Sequence, residues 1–177
     1  MATRLSYESS CNRLRELHLL APEDQAPMPK RLPHIDDEEP LGVNVFRTRL
    51  TGNLNLSGLS LPRTFFGLSE INGVSFRNSD LHESNFCWND FVEVDFAEAD
   101  LERSDMRSSL FNRVQFVSTN LEGADLRRSS FIDCIFEGAL MRGATLTRQQ
   151  GETIRLSETQ RDEVNWRDED GPEPDGG

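Results

Sequence analysis

From Ile71 to Leu146 a large apolar residue falls on every fifth position without a miss. The series runs Ile71, Phe76, Leu81, Phe86, Phe91, Phe96, Leu101, Met106, Phe111, Phe116, Leu121, Leu126, Phe131, Phe136, Met141, Leu146, sixteen residues in one phase. A helix buries apolar residues at spacings of three and four, and a strand at spacings of two. A strict five serves neither, so the period itself is the structural signal.

The positions around the large residue are restricted too. Two places before it sits something compact, as at Val74, Ser79, Ser84, Val94, Ala99, Ser104, Ala124 and Cys134. One place before it is often Asp or Asn, as at Asp80, Asn85, Asp90, Asp95, Asp100, Asp105, Asn120 and Asp125. The stretches Ala99-Asp100-Leu101 and Ala124-Asp125-Leu126 show the unit most clearly. This pattern resembles the pentapeptide-repeat family, Ala-(Asp/Asn)-Leu-x-x, over about residues 43 to 148.

The resemblance implies an all-β solenoid, a right-handed four-sided parallel β-helix with one repeat per side and twenty residues per coil. The large residue and the compact one before it point inward, and the other three face water. Residues twenty apart should then stack, and the sequence segregates accordingly. Phe76, Phe96, Phe116 and Phe136 form the first side; Leu81, Leu101, Leu121 and Met141 the second. Phe86, Met106, Leu126 and Leu146 form the third, and Ile71, Phe91, Phe111 and Phe131 the fourth. Columns of like residues pack by stacking like shapes.

The rest of the chain divides around this rod. Residues 1–20 carry a short N-terminal helical segment whose apolar side holds Leu14, Leu17, His18 and Cys11. Residues 21–40 form a linker, with five prolines and the acidic run Asp36 to Glu39. Within the expected β-helix, 41–148, the first coils are worn: Phe46, Leu56, Leu61 and Phe66 keep the large position, Thr51 breaks it, and irregularity is expected at Pro62 to Gly67. Residues 149–167 should cap the last coil. Thr147–Gln150 and Ser157–Gln160 have capping-box spacing, the second opening a helix that ends near Asn165. Residues 168–177 read as a disordered acidic tail.

No enzyme constellation is present: there is no Gly-rich phosphate loop, metal-ligand cluster or nucleophile elbow. The carboxylates belong to the repeat, where Asp or Asn bonds nearby backbone at the turn. His18, His34 and His82 are isolated, with no carboxylate or cysteine at a motif spacing. Three cysteines, far apart, have no metal spacing; Cys134 is inward and Cys87 outward, with a reactive thiol as its sharper reading. The expectation is a non-enzymatic protein without cofactor. No apolar run reaches membrane-spanning length and no signal-peptide order opens the chain, so no membrane partner and a cytoplasmic location are expected.

The net charge of −12 bears on partners. It disfavours direct nucleic-acid binding. One class within the family mimics DNA and protects type II topoisomerases, which makes such an enzyme the alternative partner. The acidic cluster for that reading is Glu93, Asp95, Glu98, Asp100, Glu102 and Asp105. Residues 41–150 nevertheless carry a net charge of only −3, against −6 for residues 151–177. Duplex DNA as long as the rod, about 25 Å, would carry about 15 charges.

A protein-binding scaffold fits better. The position before the large residue departs from Asp/Asn at Leu110, Ile135 and Leu140. Val92 and Ile132 share Leu110's side, with Val117 nearby, so a partner surface is expected around the corner of the fourth and first sides. Trp88, outward by phase, is a separate candidate anchor. The resemblance also implies dimerisation through a terminus as one use of the ends.

Overall fold

In the computed structural model, residues 3–20, 27–34 and 42–168 are described. The expected acidic run at Asp36–Glu39 and most of the expected tail lie outside them. The element order is α1 (Tyr7–Glu16), β1 (Asn44–Phe46), β2 (Arg49–Leu50), β3 (Phe65–Gly67), β4 (Glu70–Asn72), β5 (Asp90–Val92), β6 (Leu110–Asn112) and β7 (Ser130–Ile132). There follow β8 (Thr145–Thr147), α2 (Arg148–Thr153), α3 (Glu158–Glu163) and β9 (Asn165–Arg167).

The architecture is the expected all-β solenoid with short terminal helices. The fourth side is a continuous parallel sheet, β2-β4-β5-β6-β7, whose register sets Ile71 beside Phe91, Phe111 and Phe131. The other sides pair through single residues, such as Ser75 with Asp95, Asp80 with Asp100 and Asp105 with Asp125. Each coil closes because the chain turns a corner after every large residue. The second residue past it adopts φ near +50° to +70°, from Asn78 and Glu83 through Arg113 and Ser118 to Gly138 and Gly143. That left-handed conformation costs any residue with a Cβ about 1 kcal/mol or more, so the stacked interior must outweigh one such cost per side.

The interior supplies that driving force. Every large residue from Ile71 to Leu126 is 0 % exposed. Phe91 and Phe111 stack at 5.0 Å with an interplanar angle of 2°, and Phe76 and Phe96 at 5.2 Å and 11°. Compact polar residues are inward without loss because they bond backbone: Ser109 Oγ donates to the Phe86 carbonyl at 2.7 Å, and Thr119 Oγ1 to that of Phe96 at 2.7 Å. Asn89, larger than its neighbours in the inward slot, donates its amide to the Phe66 and Phe86 carbonyls, both at 2.8 Å.

The first coil corrects the expected phase. Val45 and Leu50 point inward, 8 % and 4 % exposed, while Phe46 is turned out at 40 %. Val45 pairs with Phe66 and Leu50 with Ile71, so this coil holds twenty-one residues. The extra residue lies in the turn between Leu50 and Leu56, where Gly52 and Asn53 both have positive φ. Thr51 therefore does not break the repeat; the repeat slips by one there. The Pro62–Gly67 stretch contains β3 in regular pairing, with Pro62 buried.

Both ends are covered. At the start, α1 lays Cys11 and Leu14 on the first coil; Ser10 Oγ accepts from Ser60 N at 2.8 Å, and Leu5 N donates to the Gly58 carbonyl at 2.8 Å. His18 lies beyond the helix and is exposed, contrary to expectation. Part of the expected linker is pinned to the third side, where Asn85 Nδ2 donates to the Pro33 carbonyl at 3.0 Å. At the far end both capping boxes form, at Thr147–Gln150 and Ser157–Gln160. The helix opened by the second box, α3, ends at Glu163, and the chain then returns as strand β9, Asn165 pairing with Thr145 twenty residues earlier. The final coil thus keeps its length while α2 and α3 replace its other sides.

Candidate functional site

The outward positions are where this fold can act, and most of the polar ones serve the rod. An Asp or Asn before the large residue closes a turn: Asp95 Oδ1 accepts from Ala97 N at 2.8 Å, Asp100 Oδ1 from Glu102 N at 3.1 Å, and Asp125 Oδ1 from Arg127 N at 3.1 Å. This is the backbone role expected of them.

The acidic cluster is largely paired. Glu93 meets Arg113 at 2.8 Å, Arg77 bridges Asp95 at 3.1 Å and Glu98 at 2.8 Å, Glu102 lies 3.5 Å from Arg103, and Arg107 binds Asp105 at 2.7 Å. On the third side Arg107 and Arg127 pair with stacked Asp105 and Asp125. Burial alone would push Asp105 up. The Arg107 guanidinium and a bond from Cys87 outweigh it and hold the carboxyl below its ordinary value. Asp100 has no such partner among the described residues; its Oδ1 accepts from Asn120 Nδ2 at 3.0 Å.

The apolar candidates separate into groups. Val92, Leu110 and Val117 are half-buried in their ladders. Ile132, Ile135 and Leu140 are exposed at 47 %, 43 % and 52 %. Ile135 and Leu140 line one open groove with Leu156, Thr159 and Glu163, between the last full coil and the segment entering α3. Ile132, Leu110, Val92 and Val117 lie outside that lining.

The groove exists because the chain leaves the ladder there. One coil earlier, Phe116 N donates to the Ile135 carbonyl at 2.7 Å, Ser118 N to that of Glu137 at 2.9 Å and Leu121 N to that of Leu140 at 2.9 Å. The equivalent N–H groups of Phe136, Gly138 and Met141 have no acceptor among the described residues, and the Cys134 carbonyl has no donor. Gln160 fills part of the gap, its Nε2 donating to the Phe136 carbonyl at 2.7 Å and the Ala139 carbonyl at 2.9 Å. Sequence reasoning placed Ile135 and Leu140 outward, but the missing strand beside them had no sequence signal.

A second apolar patch lies at the other end. Trp88 is the most exposed large hydrophobic residue among the described residues, at 64 %, and shares a pocket with Phe46, Phe65 and Leu68. The slip in the first coil turned Phe46 outward, which is why phase counting missed this patch. Leu68 and Trp88 occupy successive left-handed corners, at φ 50° and 61°. Cys87, beside Trp88, is half-buried rather than fully outward, its Sγ 3.8 Å from the Asp105 carbonyl. Burial, with the Asp105 carboxylate nearby, pushes its pKa well up. One isolated histidine also proves to have a partner: His82 Nδ1 lies 2.6 Å from Asp80 Oδ1.

Residues 69–107 and 109–148 match the sequence profile of pentapeptide repeats, in eight copies. No curated protein sequence matches the chain. Among solved structures, Rfr23 from the cyanobacterium Cyanothece 51142 aligns with TM-score 0.53 and 17 % identity over 55 % of this chain and 80 % of its own. AT2G44920 from the Arabidopsis thaliana thylakoid lumen aligns with TM-score 0.52 and 25 % identity over 64 % and 72 %. HetL from Nostoc sp. strain PCC 7120, involved in heterocyst differentiation regulation, gives TM-score 0.48 and 17 % identity over 57 % of this chain. The chain spans only 46 % of the length of HetL. No helix among the described residues is long and apolar enough to cross a membrane.

Proposed function

We propose that this chain, whose residues 69–107 and 109–148 match pentapeptide repeats and build a β-helix, is a non-enzymatic binding module that captures an extended segment of a partner protein in the open slot beside Ile135. The observation that carries this reading is the row of groups left unpaired among the described residues, Phe136 N–H, Gly138 N–H and Cys134 C=O, flanked by exposed Ile135 and Leu140 and by half-buried Leu156. An added strand would satisfy the backbone groups, and its alternate side chains would cover the apolar ones. Trp88 and its neighbours offer a second, separate contact. Mimicry of DNA toward a type II topoisomerase is the weaker reading, because five of its six acidic side chains lie within ion-pair distance of an arginine.

The test is a photo-crosslinker placed at Gly138 in cells, beside the same protein carrying Ile135→Asp and Leu140→Asp. Asp stands at these outward positions two coils earlier, as Asp95 and Asp100, so the double variant should remain folded. A single crosslinked partner that vanishes in the double variant supports the slot. Crosslinking to a second copy, with a doubled mass in solution, would make the slot a dimer interface instead. A partner captured equally by both proteins would reject it.

A further inference from the structure

The second and third sides each stack two aspartates one coil apart at the same repeat position: Asp80 with Asp100, and Asp105 with Asp125. Two like charges at strand spacing repel, and the third side answers with arginines. Arg107 follows Asp105 by two residues and lies 2.7 Å from its Oδ2 and 3.8 Å from that of Asp125, while Arg127 binds Asp125 at 2.7 Å. On the second side the matching positions hold His82 and Glu102. No arginine or lysine among the described residues lies within ion-pair distance of Asp80 or Asp100. The one basic group present is the imidazole, His82 Nδ1 at 2.6 Å from Asp80 Oδ1.

We propose that Asp80, His82 and Asp100 form a binding site for a divalent transition ion such as Zn²⁺, which takes the place of the arginines and ties two successive coils together. One donor atom from each residue lies within 4.8 Å of the others, and all three residues are half-buried. Donors about 2.0–2.2 Å from a common tetrahedral ion lie about 3.3–3.6 Å apart. Binding therefore draws the three side chains together, and none is held by full burial: the side chains of His82 and Asp80 are 30 % and 21 % exposed. Asp80 Oδ2, Asp100 Oδ2 and His82 Nε2 have no protein partner among the described residues. The Asn120 amide meanwhile fixes the Asp100 carboxylate through Oδ1. An imidazole with two carboxylates suits Zn²⁺, Co²⁺ or Mn²⁺, whereas Ca²⁺ and Mg²⁺ call for oxygen alone. Water completes the coordination on the open face.

The site is tested with Co²⁺ and Zn²⁺ on the intact chain beside His82→Arg, which gives the second side the residue type of the third. The expected result is one equivalent of Co²⁺ with weak visible absorption and no sulfur charge-transfer band. At a hundredfold excess of Zn²⁺ over its dissociation constant, Tm should rise by about 5–10 °C. His82→Arg should fold, melt at or above the metal-free wild-type temperature, and lose both responses. Asp100→Asn, which keeps the shape, should weaken the ion at least tenfold. Absence of a stoichiometric response in the wild type overturns the site. So does an equal response in His82→Arg, or a thiolate band placing the ion on a cysteine.

Discussion

The side-chain amide of Gln160 donates to the main-chain carbonyl of Phe136 at 2.7 Å, closing an edge that the rod would otherwise leave open. Inside the rod an inward hydroxyl does this, as when Thr119 bonds the Phe96 carbonyl across twenty-three residues. At the end of the ladder no further coil among the described residues supplies one, and the glutamine of a helix-capping box takes over. Its Oε1 holds Ser157 N at 2.9 Å, so one side chain opens α3 and caps the solenoid. Gln150 repeats the device with the Leu126 and Ser129 carbonyls at 2.8 and 2.7 Å.

Gln160→Ala should therefore cost more than a lost helix cap. It takes from the Phe136 carbonyl one of its two donors, Ala139 N being the other, and leaves the Ala139 carbonyl and the Ser157 N–H without the partner they have in Gln160; a loss of about 2–4 kcal/mol in chemical denaturation is expected. Gln160→Glu should be at least as harmful at neutral pH, since it sets a carboxylate against two carbonyl oxygens. A loss below about 0.5 kcal/mol for either variant would refute the capping role.

Gly151 is required by Trp166. A Cβ built on Gly151 would come within 2.6 and 2.7 Å of carbons of the indole ring, closer than any relaxed contact. Gly151→Ala should displace Trp166, whose Nε1 now donates to the Arg161 carbonyl at 2.8 Å. The expected cost is about 1–3 kcal/mol, as for overpacking elsewhere. A changed near-ultraviolet circular dichroism signal from Trp166 should accompany it, read in a Trp88→Phe background. An unchanged spectrum and melting curve would show that the ring is not seated there.

Asp105 gives the protein a defined response to acid. Its folded pKa is held below the ordinary carboxylate value because Arg107 and Cys87 outweigh burial. A depressed folded pKa means stability that is full above the unfolded value, near 3.8, and is lost as pH falls through the folded one. In Arg107→Ala, burial acts largely unopposed and raises the folded pKa instead. The sign then reverses: that variant is weakened most at neutral pH and recovers part of its deficit as pH approaches 4. Parallel pH-stability curves for the two proteins would exclude this account.

The sequence was most legible where one geometric rule repeats without interruption. From Ile71 onward each inward residue can be assigned by counting, because a coil of four equal sides leaves no freedom in which residue faces the core. Counting failed between Val45 and Leu56 for a physical reason. One extra residue in a turn preserves the ladder but shifts every earlier residue by one, and Phe46 was as plausible a core residue as Val45 until pairing with Phe66 fixed the frame. That slip also hid the Phe46–Trp88 patch. The cap was half legible: the capping boxes were readable, but β9 was not, since Asn165–Arg167 becomes a strand only because β8 presents an unpaired edge.

What the sequence determined by itself is the five-residue period and the segregation of Phe from Leu at twenty-residue spacing; the family resemblance carried by that repeat implied the solenoid, its twenty-residue coil and the inward columns. A repeat of this kind is legible locally because each coil needs only its neighbours. What the tertiary structure decided is which outward groups meet across coils and at the ends. The ion pairs that quiet the acidic cluster, the Asp80–His82–Asp100 contact and the vacant strand beside Ile135 depend on residues about twenty apart or on how the last helices leave the ladder. No local pattern encodes those meetings, because an outward side chain is constrained by its stacked neighbours rather than by the repeat.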